Sequence, residues 1–166
     1  MANTQENLNA AFAGESEANR KYLAFAEKAE KDGFPEVARL FRAGAEAETV
    51  HAMAHLRQLK AVKSTAENLE AAKAGETYEY TEMYPPMVKE AEAEGSPAAL
   101  TFKYALAAEE RHANLYARAL EAVKAGQDVE TGGVYVCPVC GNVVFGKPTA
   151  PCEICNTAAE KFFEIE

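Results

Sequence analysis

The stretch Glu109-Glu110-Arg111-His112 places a glutamate and a histidine three residues apart, so both side chains lie on one face of an α-helix. The stretch Glu48-Thr49-Val50-His51 carries the same motif 61 residues earlier. Each Glu-x-x-His motif follows a separate glutamate, Glu15 or Glu76, by 33 residues. One glutamate and one Glu-x-x-His motif, present twice, form the ligand set of a carboxylate-bridged di-iron site in a four-helix bundle.

The first three quarters of the chain have a helical pattern that agrees with this prediction. Residues 1 to about 125 are rich in Ala, Glu and Lys. Gly-Phe-Pro after Asp32 and Gly-Ser-Pro after Glu94 mark two turns, and Ser64 to Glu67 has the sequence of a capping box. The predicted helices span residues 5–31, 36–62, 65–94 and 97–125.

The turns repeat as the ligands do, but one residue out of step. Asp32-Gly33-Phe34-Pro35 matches Glu94-Gly95-Ser96-Pro97 with an offset of 62, whereas the ligands have an offset of 61. The chain therefore looks like a duplicated helical hairpin. Pro85-Pro86 interrupts the third predicted helix, which should kink or split there.

The overall charge and hydropathy exclude several classes of protein. The formal net charge is −9 with both signs mixed along the chain, which argues against nucleic acid as a partner. No apolar run reaches the roughly 18 to 20 residues that cross a bilayer, and the N-terminus lacks the basic and apolar segments of a secretory signal. We therefore expect a cytoplasmic protein that does not contact membranes.

The C-terminal region has a different composition, with short β-type runs, glycines and all four cysteines. Cys137-Pro138-Val139-Cys140 and Cys152-Glu153-Ile154-Cys155 are two Cys-x-x-Cys pairs, which together predict a four-thiolate metal site. A zinc ion there would be structural and an iron ion would carry electrons; the spacing leaves both open. The predicted organisation is a helical domain over residues 1–126, a linker over 127–133 and a cysteine domain over 134–166.

Several side chains near the repeated motif have two interpretations. Glu79 follows Glu76 by three residues and could be a further metal ligand or an exposed helix glutamate, because its counterpart in the first repeat is Ala18. His55 has no histidine counterpart and is interpreted as structural or exposed. Tyr22 and Tyr84 could donate protons or hydrogen bonds near the site, or could simply belong to the core.

Taken together, these motifs closely resemble rubrerythrin across nearly the whole chain. The segments around Glu15, residues 75–85 and the Tyr135–Gly141 knuckle carry the resemblance. It implies a mainly α, ferritin-like four-helix bundle with a small rubredoxin-like β/metal-knuckle domain at the C-terminus. It implies these di-iron ligands: Glu15, Glu48, His51, Glu76, Glu79, Glu109 and His112. It also implies iron bound by Cys137, Cys140, Cys152 and Cys155, and it assigns Tyr22, Tyr84 and Glu79 to the catalytic site.

The resemblance also implies a function. A family member would be a peroxidase that reduces hydrogen peroxide to water, with electrons relayed through the four-cysteine iron from an external NAD(P)H-dependent reductase or rubredoxin. The resemblance further implies a homodimer in which the cysteine module of one chain lies beside the di-iron site of the other. A ferritin-type ferroxidase or iron-storage protein is the alternative, although storage needs no appended electron carrier. A non-catalytic bundle with a zinc knuckle that binds a partner is the third interpretation.

The second knuckle departs from the rubredoxin pattern. Glu153 and Asn156 stand where rubredoxins commonly have proline and glycine. Asparagine tolerates the left-handed backbone that such a turn needs, so we expect the knuckle to form.

Overall fold

The computed structural model describes residues 3–166 and divides into two compact units, of which the first ends at Lys63 and the second is Ser64–Glu166. The first unit contains helices α1 (Thr4–Lys31) and α2 (Pro35–Leu59). The helical elements of the second unit are α3 (Thr65–Tyr78), a π-helical turn (Glu79–Met83), α4 (Tyr84–Ala93) and α5 (Ala98–Lys124). It continues with β1 (Val134–Val136), β2 (Val143–Phe145), a 3₁₀ turn (Ala159–Lys161) and β3 (Phe163–Ile165). Over residues 3–166, none of the helices has the length and apolarity required to cross a membrane.

The first unit is a helical hairpin closed by small side chains. Ala26, Ala29 and Ala38 are buried between α1 and α2, and Phe41 packs against them. Asn19 ties the helices together, because its amide nitrogen donates to the Ala45 carbonyl at 2.7 Å. Alanine on the facing sides lets the two backbones approach closely, which aligns the ligand-bearing stretches of both helices.

The boundaries of this hairpin follow the sequence signals at three ends but not at the fourth. Gly33 has φ +85° in the turn, and Pro35 opens α2. The predicted end of α2 at residue 62 is wrong, because the helix ends at Leu59. Lys60 has the left-handed conformation (φ 51°), which stops the helix. No glycine marks this position, so no local signal predicted the end of the helix there.

The third predicted helix splits, and the split explains the change of offset. A π-helical turn at Glu79–Met83 accommodates one residue more than an α-helix, with the Tyr84 N–H donating to the Glu79 carbonyl. Glu76 and Tyr84 are eight residues apart, whereas Glu15 and Tyr22 are seven apart. The extra residue of the second repeat is therefore absorbed in this turn.

The ends of the second pair of helices follow the predicted signals closely. The capping box of α3 is present, with the Glu67 N–H donating to Ser64 Oγ at 3.3 Å and the Ser64 N–H donating to the Glu67 carboxylate at 3.2 Å. At the start of α5, the Ala98 N–H donates to Ser96 Oγ at 3.3 Å. Gly126, with φ +72°, follows the end of α5.

The C-terminal residues form a three-stranded antiparallel sheet in the order β2-β1-β3. Tyr135 in the central strand pairs with Val144 on one side and Glu164 on the other. The two Cys-x-x-Cys turns follow β1 and β2, and their cysteines form the buried cluster of this region. The predicted mainly α chain with a small C-terminal β and four-cysteine module is confirmed. The boundaries predicted for the domains and linker remain predictions.

Candidate metal centres

The first unit brings Glu15, Glu48 and His51 together. Each offers one ligand atom within 4.8 Å of the other two. His51 Nδ1 lies 2.9 Å from Glu48 Oε2 and 3.8 Å from Glu15 Oε1. The inter-helical hydrogen bond of Asn19 and the three-residue spacing within α2 fix this group in the hairpin.

The second unit brings Glu76, Glu109 and His112 together in nearly the same geometry. His112 Nδ1 lies 2.6 Å from Glu109 Oε2 and 3.8 Å from Glu76 Oε2. The sequence repeat is thus a repeat of side-chain positions as well. We call the two groups the first half-site and the second half-site, since each holds one histidine and two of the four repeated glutamates.

Burial, together with crowding of carboxylates, raises the proton affinity of the second half-site. Burial, followed by the hydrogen bond and charge of Glu109, raises the pKa of Glu76 to about 7. Burial, followed by the charge of Glu76, also raises the pKa of Glu79. Glu79 is outside the group whose ligand atoms all lie within 4.8 Å, but it is close enough to feel the charges of Glu76 and His112. A bound cation would favour the ionised form of these carboxyls and so oppose the effect of burial.

The two candidate tyrosines occupy equivalent positions in the two units. The Tyr22 ring lies 6.2 Å from that of Phe41 with an interplanar angle of 37°, and the Tyr84 ring lies 6.2 Å from that of Phe102 with an angle of 39°. Burial, followed by the charges of Glu109, Glu79 and Glu76, raises the pKa of Tyr84. Tyr84 therefore borders the carboxylates of the second half-site with its hydroxyl protonated.

Tyr116 is a second hydroxyl beside that half-site, and sequence reasoning missed it. Burial and then the charges of Glu76 and Glu109 raise the pKa of Tyr116. It also lines an apolar pocket of about 450 Å³ that reaches Glu76 and His112. Its position four residues after His112 on α5 was the available signal. His55, its counterpart in the first repeat, is half-buried and does not belong to the first half-site group.

The four cysteines converge as predicted. Their sulfurs all lie within 4.8 Å of one another. Cys137 Sγ is 3.5 Å from Cys155 Sγ, and Cys140 Sγ is 3.5 Å from Cys152 Sγ. These distances are far longer than a disulfide bond and close to the roughly 3.8 Å edge of a tetrahedron with metal–sulfur bonds of about 2.3 Å.

The relatives of this chain agree with both kinds of site. The rubrerythrin family profile matches residues 6–120. "Rubrerythrin-2" of Clostridium acetobutylicum is 36% identical over 97% of this chain and 96% of its own length. "Nigerythrin" of Nitratidesulfovibrio vulgaris is 33% identical over 98% of this chain and 86% of its own. A solved structure of nigerythrin in a mixed-valence state matches 99% of this chain and 88% of its own, with 34% identity and a TM-score of 0.57.

The chain belongs to the rubrerythrin family. It is therefore an iron-dependent oxidoreductase of a family that acts against oxidative stress, and the iron cofactors of rubrerythrins are those predicted from its sequence. The donor sets fit those cofactors. In the two half-sites, carboxylate oxygens and imidazole nitrogens together form a donor set that suits iron. In the knuckles, four converging thiolates suit iron or zinc.

The two rubrerythrin knuckles are built alike. The Gly141 N–H donates to the Cys137 carbonyl at 3.0 Å, and the Asn156 N–H donates to the Cys152 carbonyl at 2.8 Å. Gly141 has φ +77° and Asn156 has φ +61°, so the asparagine does adopt the left-handed conformation.

Burial and backbone N–H donors shift the pKa values of two cysteines in this rubrerythrin module. Burial acts to raise the pKa of Cys137, but the backbone N–H groups of Cys140 and Val139 donate to its sulfur and lower the pKa overall. Burial raises the pKa of Cys140. A bound metal ion would therefore be needed to hold Cys140 as a thiolate at neutral pH.

A hydrogen bond joins the second half-site to the module, and the sequence did not predict it. His112 Nε2 lies 3.0 Å from the Gly141 carbonyl oxygen, one residue after Cys140. A carbonyl only accepts, so Nε2 donates a proton to it, and this leaves Nδ1 facing Glu109 and Glu76. The same imidazole thus faces metal ligands with one nitrogen and the thiolate knuckle with the other.

Proposed function

We propose that this chain is a non-haem di-iron peroxidase that reduces hydrogen peroxide to water, with electrons relayed through the four-cysteine iron. The reaction consumes two electrons and two protons for each peroxide and yields two water molecules, with cleavage of the O–O bond. When bound, the iron pair would supply the two electrons and the thiolate iron would return them one at a time.

The hydrogen bond between His112 and Gly141 is the observation that carries this proposal. It connects a predicted ligand of the di-iron site to the backbone next to Cys140 over 3.0 Å. An iron-storage protein has no need for an electron carrier fixed against a metal ligand. A relay of single electrons needs such a short, ordered connection.

The proposed ligand set follows the two half-sites and the knuckles. We assign the di-iron pair to Glu15, Glu48, His51, Glu76, Glu79, Glu109 and His112. We assign the third iron to Cys137, Cys140, Cys152 and Cys155. Four repeated carboxylates balance the four positive charges of two ferrous ions, whereas the same carboxylates without metal carry an unfavourable concentration of negative charge.

The proposed catalytic residues are Tyr22, Tyr84 and Glu79, which would bind peroxide oxygen and move protons. Tyr84 stays protonated at neutral pH, because burial and neighbouring carboxylates raise its pKa. Its hydroxyl can therefore donate to an oxygen at the second half-site. Glu79, whose pKa is raised by burial and by Glu76, would serve as a ligand that can also hold a proton.

The proposed partners are an external NAD(P)H-dependent reductase or a rubredoxin as electron donor and a second copy of the chain in a homodimer. The proposed location is the cytoplasm, where a reducing environment keeps four free cysteines available to a metal. A monodisperse monomer with full peroxidase activity would contradict the homodimer.

The decisive experiment compares peroxide turnover with iron mineralisation, using Cys140→Ser as the test variant. We expect the parent protein with a reduced donor to consume peroxide repeatedly, and the variant to consume peroxide once per iron pair and then stop. A ferritin-type protein would instead oxidise added ferrous ions with oxygen and retain the mineral equally well in both forms. That second outcome would refute the proposal.

A further inference from the structure

We propose that Arg111 and Arg118 of α5 are positioning residues that clamp the four-cysteine module onto the second half-site of the same chain, so that the module passes electrons to its own His112. This inference rests on the proposed peroxidase function. It assigns a role to two side chains that are neither metal ligands nor catalytic groups.

Arg111 holds the second knuckle. Its Nη2 lies 3.0 Å from Oε2 of Glu153, which stands between Cys152 and Cys155. Both side chains are about half exposed, at 50% and 55%. Glu153 is one of the residues that depart from the rubredoxin pattern, and the ion pair with Arg111 explains why a glutamate stands there.

Arg118 holds the other side of the module. Its Nη2 donates to the Glu130 carbonyl at 2.7 Å, and its guanidinium carbon lies 5.1 Å from the centroid of the Phe145 ring. Glu130 belongs to the segment that leads into β1, and Phe145 ends β2. One side chain therefore fixes both the entry to the module and its sheet, with a charge-assisted hydrogen bond and a cation–π contact.

The contact that matters for electron transfer lies between these two points. Arg111 and Arg118 are seven residues apart on α5, which is about 10 Å along the helix. His112 lies within that interval and meets Gly141 of the first knuckle. Tyr104, earlier on α5, packs against the cysteine cluster. The clamp thus prevents the module from rocking away from the imidazole, and electron transfer rates fall steeply with separation.

The electron step that the clamp serves is balanced. With iron bound, one electron would leave the ferrous thiolate iron, which would become ferric, and would reduce one ion of the oxidised iron pair. The external donor would then restore the ferrous thiolate iron. No proton has to cross the His112–Gly141 hydrogen bond for the electron to pass.

The variants test whether the ion pair and the guanidinium contacts themselves hold the module in place. Arg111→Glu breaks the ion pair with Glu153, and the double variant Arg111→Glu/Glu153→Arg restores it with the charges exchanged. Arg118→Met keeps the apolar stem and removes the guanidinium. Lys124→Glu is the matched control, because Lys124 pairs with Glu70 at the same 3.0 Å and with the same exposures of 50% and 55%, and this ion pair joins α5 to α3 instead of to the module.

The first measurement does not depend on catalysis. Zinc-loaded protein is treated with thermolysin, which cuts before Val129 in the linker when the module moves away. We expect cleavage about tenfold faster in Arg111→Glu and Arg118→Met, corresponding to ~1.4 kcal/mol of lost docking. The charge-exchanged double variant should return to the parent rate, and Lys124→Glu should not differ from the parent. Equal rates in all variants would overturn the clamp.

The second measurement follows electrons. Fully reduced iron-loaded protein is mixed with peroxide in a stopped-flow instrument, and the appearance of ferric thiolate colour is timed separately from peroxide loss. We expect the colour to appear about tenfold more slowly in Arg111→Glu and Arg118→Met, because the docked fraction of the module falls by the same factor as in the cleavage test. The rate of peroxide loss should not change. Unchanged colour rates despite faster cleavage would overturn the positioning role. A parent protein that consumes no peroxide would refute the proposed function alone, because the cleavage test still judges the clamp.

Discussion

Deleting Thr81 from the π-helical turn tests how the second repeat accommodates its extra residue. In an α-helix each residue turns by about 100°, so the eight residues from Glu76 to Tyr84 would leave Tyr84 about 80° away from the face of Glu76. The π turn absorbs that excess, because Tyr84 reaches Phe102 at the 6.2 Å found for Tyr22 in the first repeat. The deletion should therefore turn α3 and α4 into one continuous α-helix.

The cost of that deletion comes from the two prolines that follow. Pro85 and Pro86 now lie in the first turn of α4, where backbone N–H groups have no α-helical partner. In a continuous helix they would remove hydrogen bonds and clash with the preceding turn, at about 3 kcal/mol or more. Replacing them with the first-repeat residues, as Pro85→Leu and Pro86→Ala, should restore most of the stability.

The assay is urea unfolding of the metal-free variants, followed by far-UV circular dichroism. Thr81→Ala is the control, because it removes the hydroxyl that donates to the Thr77 carbonyl at 2.7 Å but keeps the chain length. We expect the deletion to lose about 3 kcal/mol relative to that control, and the deletion with both proline replacements to recover it. A deletion variant as stable as the control, or one that the replacements do not rescue, would show that the reasoning is wrong.

Three further predictions concern the sites themselves. Gly44→Ala should move the Tyr22 ring by a few tenths of an ångström, because an added Cβ would lie 3.2 Å from Tyr22 Cδ2; a crystal structure of the variant with an unmoved ring would contradict this. The contribution of Glu76 to the stability of the metal-free protein should be fully present below about pH 4.5 and be lost as the pH rises through about 7, because folding raises the pKa of Glu76 and disfavours its ionised form. Chemical denaturation at several pH values should show this loss in the parent protein and not in Glu76→Gln. Asn142→Leu should lower the reduction potential of the thiolate iron, because it removes an amide donor that lies 3.8 Å from Cys152 Sγ; protein-film voltammetry measures this. The same variant should keep the fold, which thermal melting checks, because Asn142 Oδ1 is buried without a partner among the described residues.

The helices, their starts and the grouping of ligands could be predicted because local signals specify them. The capping box at Ser64, the left-handed Asn156 and the two Glu-x-x-His motifs each depend on neighbours within a few residues. The change of offset from 61 to 62 was a visible sign of the π turn, although the type of turn was not predicted. The left-handed Lys60 had no such sign.

Contacts across long stretches of chain were beyond sequence reasoning. The hydrogen bond of His112 with Gly141 joins residues 29 positions apart, and the ion pair of Arg111 with Glu153 joins residues still further apart. Neither pair has a spacing rule, because each depends on where the sheet carries the knuckles relative to α5. Predicting them requires the packing of the whole second unit.

The hydrogen bond at His112 also bears on how the protein acquires its metals. A free imidazole interconverts between two tautomers and several ring orientations, and an incoming ion must select one of them. The Gly141 carbonyl already fixes the ring orientation at the second half-site, so an arriving ion meets an imidazole whose Nδ1 faces Glu109 and Glu76. Folding of the cysteine module and capture of this ion are therefore linked events, and a chain whose knuckles have not yet formed should bind that ion more weakly.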